Sequence, residues 1–84
     1  MKKKYDEQTA LAKILVLIKN HYEKIGRQEI EDADEERQNL IDNIEEILNN
    51  TEISTRHIII EKLENDDEIS KSLKGRWKAD GTFR

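Results

Sequence analysis

Apolar residues recur along this chain at steps of three and four, which is the spacing of one face of an α-helix. The first such stripe consists of Leu11, Ile14, Leu15, Ile18, Tyr22 and Ile25. This spacing predicts an amphipathic helix over about 5–25. We expect Gly26 to end it, because glycine tolerates the left-handed conformation that a helix C-cap requires.

A second stripe predicts a helix over about 28–49. Its members are Ile30, Ala33, Leu40, Ile41, Ile44, Ile47 and Leu48. Arg37 interrupts the stripe, and we expect its alkyl stem to lie on the core while its guanidinium reaches the neighbouring acids. Because only a short turn at Gly26 joins the two helices, they should pack as an antiparallel hairpin.

Two shorter helices are predicted after the hairpin, over about 54–65 and 67–78, with a tail at 79–84. Ile53 and Ser54 have the character of a staple residue and an N-cap for the third helix. The isoleucines at 58–60 would also suit a strand, but no second strand is available to pair with it. The run Asn65-Asp66-Asp67 should end the third helix and cap the fourth. The fold class is therefore all-α, a small antiparallel helical bundle in one domain, 1–84.

Composition explains why the stripes are narrow. Only 35% of the 84 residues are apolar while 40% are charged, and a chain of this size buries only about 60% of its unfolded surface. The core must be thin. Because the first two stripes follow heptad-like spacing and a monomer buries little, we expect a homodimer.

The chain has no cysteine and no proline. The apolar run Leu11–Ile18 is interrupted by Lys13 and is far shorter than the roughly 20 residues that cross a bilayer. No small-residue cleavage site follows it, so it is not a signal peptide. These features predict a cytoplasmic protein with no membrane span. Richness in Ile, Asn, Lys and Glu is typical of AT-rich coding and indicates a low-GC bacterium, or a phage or other mobile element.

Catalytic and metal-binding patterns are sparse. His57 and Glu61 have helical metal-ligand spacing, but two ligands without a third do not make a site. A thin helical bundle also leaves little room for a pocket. We therefore expect no enzyme activity, no metal and no cofactor.

The acidic run from Glu29 to Glu36 has two interpretations. It is either the solvated face of an amphipathic helix, or a rigid row of carboxylates that imitates nucleic-acid phosphates and occupies the basic groove of a partner protein. The second interpretation makes four residues candidates for partner binding: Glu31, Asp32, Glu35 and Glu36.

Trp77 is a candidate for a second contact, because Arg76 and Lys78 flank it and this composition is typical of an interface anchor. The competing interpretation is that Trp77 closes the core, since aromatic burial dominates small cores.

A helix-turn-helix made by the third and fourth helices is the alternative function. Its second helix would present Lys71, Lys74, Arg76 and Lys78 to DNA. Against it, Asp66, Asp67 and Glu68 would meet the phosphates, and the net charge of the chain is −4. Both features oppose binding to a polyanion.

The segment Gly75-Arg76-Trp77-Lys78-Ala79-Asp80-Gly81 resembles the glycine, aromatic, basic, Ala-Asp ending of some bacteriocin immunity proteins of the enterocin A type. The resemblance covers under a tenth of the chain. It implies an intracellular antiparallel four-helix bundle whose C-terminal part protects the producer's membrane transporter from its own bacteriocin. The chain departs from that pattern in its highly charged second helix, its short third helix and its short tail.

Together these patterns favour a noncatalytic protein-protein interaction module, a small regulator or inhibitor that binds and occludes a partner protein. DNA binding and bacteriocin immunity remain as the alternatives.

Overall fold

A computed structural model of the chain describes residues 5–29, 31–63 and 66–77. Over these residues it contains four helices: α1, Glu7–Gly26; α2, Ala33–Asn49; α3, Ile53–Lys62; and α4, Asp67–Arg76. An isolated parallel bridge pairs Tyr5 with Thr51. The predicted all-α class is confirmed. No helix in this part of the chain combines the length and apolar character needed to cross a bilayer.

Helix α1 begins and ends with well-defined caps. The Asp6 carboxylate accepts a hydrogen bond from the Thr9 amide at 2.7 Å, and this bond lowers the pKa of Asp6. At the other end the helix stops at Gly26 as predicted, but Gln28 is the residue with a left-handed backbone, at a φ of 58°. The Gln28 amide donates to the Ile25 carbonyl at 3.1 Å. The prediction that Gly26 supplies the left-handed cap is therefore wrong.

Helix α2 begins at Ala33, five residues later than predicted. The Asp32 carboxylate sets this start, because one of its oxygens accepts hydrogen bonds from the amides of Asp34 and Glu35, each at 3.1 Å. A side chain that satisfies the first free amides makes its own residue the N-cap. Ala33 is exposed, so its predicted place in the apolar stripe is also wrong, and Ile30 lies outside the described residues.

Two short helices follow the hairpin, as predicted, but they begin and end at residues other than those predicted. Glu52, not Ser54, is the N-cap of α3, and it caps without a side-chain hydrogen bond. Helix α3 ends at Lys62, and α4 ends at Arg76. The Asp66 carboxylate accepts from the Ile69 amide at 3.3 Å, which confirms the predicted cap of α4. The predicted tail at 79–84 lies outside the described residues.

The helices pack in a ring in which α1 contacts α2 and α3, and α4 contacts the same two helices. The Tyr5 amide, just before α1, donates to the Asn50 carbonyl, just after α2, at 3.1 Å. The first two helices are therefore antiparallel, as predicted. Helix α4 runs along α2 in the same direction, because its first turn reaches Arg37 and its last turn reaches Asp42 and Glu45.

The core face of α1 is rotated from the predicted stripe, of which Ile14 is fully buried and Leu11 and Ile18 pack partly against the core. Ala10 and Ile14 are fully buried, and Leu17 packs against the core from the same side. The predicted core residues Leu15, Tyr22 and Ile25 are instead about half exposed. The rest of the core comes from α2, α3 and α4: Leu40, Ile41, Ile44, Leu48, Ile59, Ile60, Leu63, Ile69 and Leu73.

Candidate functional site

The structure separates the four acidic candidates. Glu31 and Glu35 are exposed. Asp32 is occupied as the N-cap of α2, and Glu36 is half-buried in a cleft between α1 and α2. Only two of the four candidates, Glu31 and Glu35, therefore present a carboxylate to solvent without a structural task of their own.

The basic residues near this acidic segment are engaged elsewhere. Arg37 is exposed and its guanidinium lies 3.4 Å from the Glu68 carboxylate at the start of α4. The expectation that the stem of Arg37 lies on the core is wrong, because its side chain is 44% exposed and reaches across the surface to the first turn of α4. Arg27 pairs with Glu29 at 3.1 Å.

Arg27 therefore neutralises one end of the acidic run, at Glu29, whereas Arg37 pairs with a residue outside the run. Elsewhere in the bundle, three carboxylates have cations beside them: Arg76 contacts Asp42 and Glu45, and Lys62 contacts Glu7. Within the described ranges, Glu31, Asp34 and Glu35 make no ion pair. We call these three residues the acidic edge.

Arg76 is a structural residue of the bundle. Its Nη1 lies 2.8 Å from the carboxylates of both Asp42 and Glu45, and its side chain is 19% exposed. Hydrogen bonding to Glu45 raises the pKa of Arg76, although burial acts in the opposite direction. The two acids on α2 therefore hold the guanidinium inward, where it is poorly placed to contact a partner or DNA.

The other candidate residues near the C-terminal end of α4 differ from Arg76 in their exposure. Trp77 is half-buried and packs against the core, which matches the core-closing interpretation of this residue. Lys78 lies outside the described residues. Lys71 and Lys74 are exposed on α4, but Asp67 and Glu68 are exposed on its first turn. The helix that would read DNA thus presents carboxylates as well as lysines.

His21 is a feature that the sequence did not reveal. It is only 9% exposed and its ring meets the Tyr22 ring edge-on, with centroids 5.4 Å apart. It lines the cleft between α1 and α2 together with Lys24 and Asn39. His57 is exposed on α3, far along the chain from His21. Over the described residues, no group of three His, Asp or Glu side chains is arranged to hold a metal ion.

Helix α1 carries a second apolar strip that the sequence analysis assigned to the core. Its members are Leu11, Leu15, Ile18, Tyr22 and Ile25, which we call the outer seam. Leu11 and Ile18 pack partly against the core, whereas Leu15, Tyr22 and Ile25 are 48%, 47% and 46% exposed. The α1 helix therefore presents a row of apolar side chains that the described part of the bundle covers only in part.

A hydrogen bond fixes one end of the outer seam. The Tyr22 hydroxyl donates to the Asp66 carboxylate, whose other oxygen caps α4. This bond, together with burial, raises the pKa of Tyr22 to about 12. The aromatic ring of Tyr22 is therefore held in position while almost half of its surface faces solvent.

Comparison of the chain with protein-family models, with curated proteins and with solved structures finds no match.

Proposed function

We propose that this chain is a noncatalytic protein-binding module, a small cytoplasmic regulator or inhibitor that acts by covering a basic surface of its partner. The observation that carries the proposal is the acidic edge: Glu31, Asp34 and Glu35 are exposed at the start of α2, and they make no ion pair with a described cation. Complementary charge favours a basic partner and speeds its association. A phage or other mobile element of a low-GC bacterium is the proposed source.

Two features support a rigid acidic edge. The Asp32 cap fixes the first turn of α2, so the carboxylates of Asp34 and Glu35 project from an ordered helix. The Arg37–Glu68 pair ties the same turn to α4. Ordering of charged groups before binding reduces the entropy lost when the complex forms.

The DNA-binding alternative has less support. Arg76, one of its four proposed contacts, is held by Asp42 and Glu45, and removing it from the set leaves fewer cations to neutralise phosphates. The bacteriocin-immunity alternative rests on residues 75–81, of which 78–81 lie outside the described part of the chain.

The test is capture of partners by the tagged protein from a low-GC bacterial lysate, divided into a nuclease-treated and an untreated half. We expect one stoichiometric protein partner that survives nuclease. The double substitution Glu31→Gln and Glu35→Gln should weaken its binding by at least about tenfold at low salt. The matched control, Glu46→Gln with Glu61→Gln, removes the same charge at exposed positions elsewhere and should leave the affinity within about twofold.

Other results would reject the proposal. Nucleic acid in the untreated half, or proteins that vanish with nuclease, would favour the helix-turn-helix interpretation instead. Equal loss of affinity in the two double variants would show that net charge, not the acidic edge, governs binding.

A further inference from the structure

The cleft between α1 and α2 contains a histidine whose imidazole has no hydrogen-bond partner among the described residues. His21 is 9% exposed and lines the cleft, while its ring packs edge-on against Tyr22. The large majority of buried polar side chains in folded proteins are hydrogen-bonded, and a neutral imidazole offers one donor and one acceptor. His21 therefore presents an unsatisfied polar group to the cleft.

Two groups of opposite charge face this cleft, one from each helix. Lys24 lines it from the last turn of α1, and Glu36 lines it from the first turn of α2. Within the described ranges they pair neither with each other nor with another charged residue. Arg27, the second cation of the lining, is already paired with Glu29. The cleft therefore offers one cation and one carboxylate to a ligand.

Three asparagine side chains complete the polar lining of the cleft. Asn20 of α1 and Asn39 and Asn43 of α2 contribute carboxamides, and these make no side-chain hydrogen bond with the described residues. A carboxamide both donates and accepts hydrogen bonds. Leu17 and Leu40 supply the apolar part of the surface. A few polar groups on an apolar base are typical of a small-molecule site, where they fix the orientation of the ligand.

We propose that this cleft binds a free α-amino acid with a polar side chain. Glu36 receives the ammonium group of the ligand, Lys24 and His21 donate to its carboxylate, and the asparagines pair with its side chain. Glu36 would repel a purely anionic ligand and Lys24 a purely cationic one. A molecule that carries both charges therefore matches the lining best, and it satisfies the buried imidazole as well.

The volume of the cleft limits the size of this ligand. About 260 Å³ is open within it, less than the roughly 300–1,000 Å³ of pockets for drug-sized molecules. L-Glutamine is a suitable probe, because it is small and its carboxamide matches the three asparagines. A ligand of about ten non-hydrogen atoms with ordinary binding efficiency has a Kd on the order of 1 mM.

NMR titration of the full chain with L-glutamine tests the site. The chain has two histidines, and His57 is an internal control because it is exposed on α3 and does not line the cleft. At constant pH, we expect the imidazole signals of His21 to shift with a Kd on the order of 1 mM while those of His57 stay in place. N-Acetyl-L-glutamine lacks the ammonium group and L-glutamine α-amide lacks the carboxylate, so each should bind at least about tenfold more weakly.

Charge-neutralising variants test the two anchors. Lys24→Gln and Glu36→Gln should each weaken binding of L-glutamine at least about tenfold, because each removes a charge-assisted contact. Lys19→Gln and Glu35→Gln remove the same charges at exposed positions of the same helices outside the cleft, and they should stay within about twofold of the wild-type affinity. Circular dichroism should give equal helix content for all four variants.

Three results would overturn the proposal. The first is an unchanged His21 signal at about 20 mM L-glutamine, well above the expected Kd. The second is equal affinity for the N-acetyl derivative, which would indicate an anion site. The third is an equal loss of affinity in Lys19→Gln and Lys24→Gln. The site goes beyond the proposed function and uses none of the acidic edge, so capture of a protein partner can succeed or fail independently of it.

Discussion

Single residues determine how the hairpin turns between α1 and α2. Gln28 adopts the left-handed conformation, which costs a residue with a side chain about 1 kcal/mol. Gly26 is the last helical residue, and a Cβ atom placed on it would meet nothing within 4 Å. The glycine is therefore two residues away from the position where its freedom would be useful.

This arrangement makes two substitutions stabilising. Gly26→Ala should raise the free energy of unfolding by about 0.5–1 kcal/mol, because alanine is the better helix former and no contact opposes it. Gln28→Gly should raise it by a similar amount, about 0.5 kcal/mol, by relieving the left-handed strain. Urea unfolding at constant m-value measures both. A destabilised Gly26→Ala protein would show that Gly26 is the left-handed cap after all.

Arg56 is the most unusual buried residue. It is 2% exposed, and it donates from Nε to the Thr51 carbonyl at 3.0 Å and from Nη2 to the Asn49 carbonyl at 3.3 Å. Both carbonyls lie at the C-terminal end of α2, where the helix dipole favours a cation. Burial lowers the pKa of Arg56, yet these partners compensate for the removal of the charge from water.

Loss of Arg56 should therefore be costly. Arg56→Leu would leave two carbonyls without their donor, and we expect it to lower the free energy of unfolding by about 3 kcal/mol. The control is Arg37→Leu, which removes an exposed arginine with one ion pair and should cost less than about 1 kcal/mol. Equal losses for the two variants would mean that Arg56 does not stabilise the end of α2.

At the scale of elements, polar side chains determine where α4 lies. Its first turn is held by Asp66, which receives hydrogen bonds from Tyr22 of α1 and from its own helix. Its last turn is held by Arg76 against α2. A helix of ten residues is marginal alone, so these contacts and the burial of Ile69 and Leu73 together fix it on the hairpin.

Arg76→Ala should loosen α4 while leaving the hairpin folded. We expect the free energy of unfolding to fall by about 1–2 kcal/mol, since two charge-assisted hydrogen bonds to α2 are lost, and amide hydrogen exchange in 67–76 to quicken more than in α1. Lys71→Ala, an exposed change on the same helix, is the control and should alter neither. Uniform acceleration across all four helices would indicate that α4 unfolds only with the whole bundle.

The Tyr22–Asp66 contact predicts a loss of stability at high pH. The pKa of Tyr22 in the folded protein is raised to about 12, above the value of about 10 in an unfolded chain. The stabilisation that the Tyr22–Asp66 contact gives the fold is therefore fully present below about pH 10 and is lost as the pH rises toward 12. Thermal unfolding from pH 9 to 12 should show a steeper decline for the wild type than for Tyr22→Phe. If the stability of the two proteins declined equally with pH, this result would contradict a role for the Tyr22–Asp66 contact.

The net charge of the whole molecule is −4, and its charged side chains are distributed unevenly. Arginines 37, 56 and 76 are used to join one helix to another, while the start of α2 keeps its carboxylates exposed. Added salt screens the attraction between these carboxylates and an opposite charge. We therefore expect binding of the acidic edge to a basic partner to weaken between about 20 and 200 mM salt.

Much of this organisation could be read from local signals. Helix number, the antiparallel hairpin and the Asp66 cap depend on periodicity and on side chains that bond to backbone amides a few residues away. The late start of α2 also has a local signal, because Asp32 is its N-cap. The neighbouring residues are acidic too, so the sequence did not single out Asp32 as the cap. Among the candidate residues, the exposure of Glu31 and Glu35 followed from the pattern, and the internal role of Arg76 did not.

The sequence by itself determined that this chain forms a long helical hairpin and two shorter helices with a thin core and an excess of carboxylates near residue 31, because periodicity, caps and composition act over a few residues. Only the tertiary structure decided which of two apolar faces of α1 is buried and which arginines become structural. A wide apolar stripe does not say which of its sides the other helices will cover, and an arginine meets its carboxylates only after distant helices have packed. That choice left Leu15, Tyr22 and Ile25 at the surface.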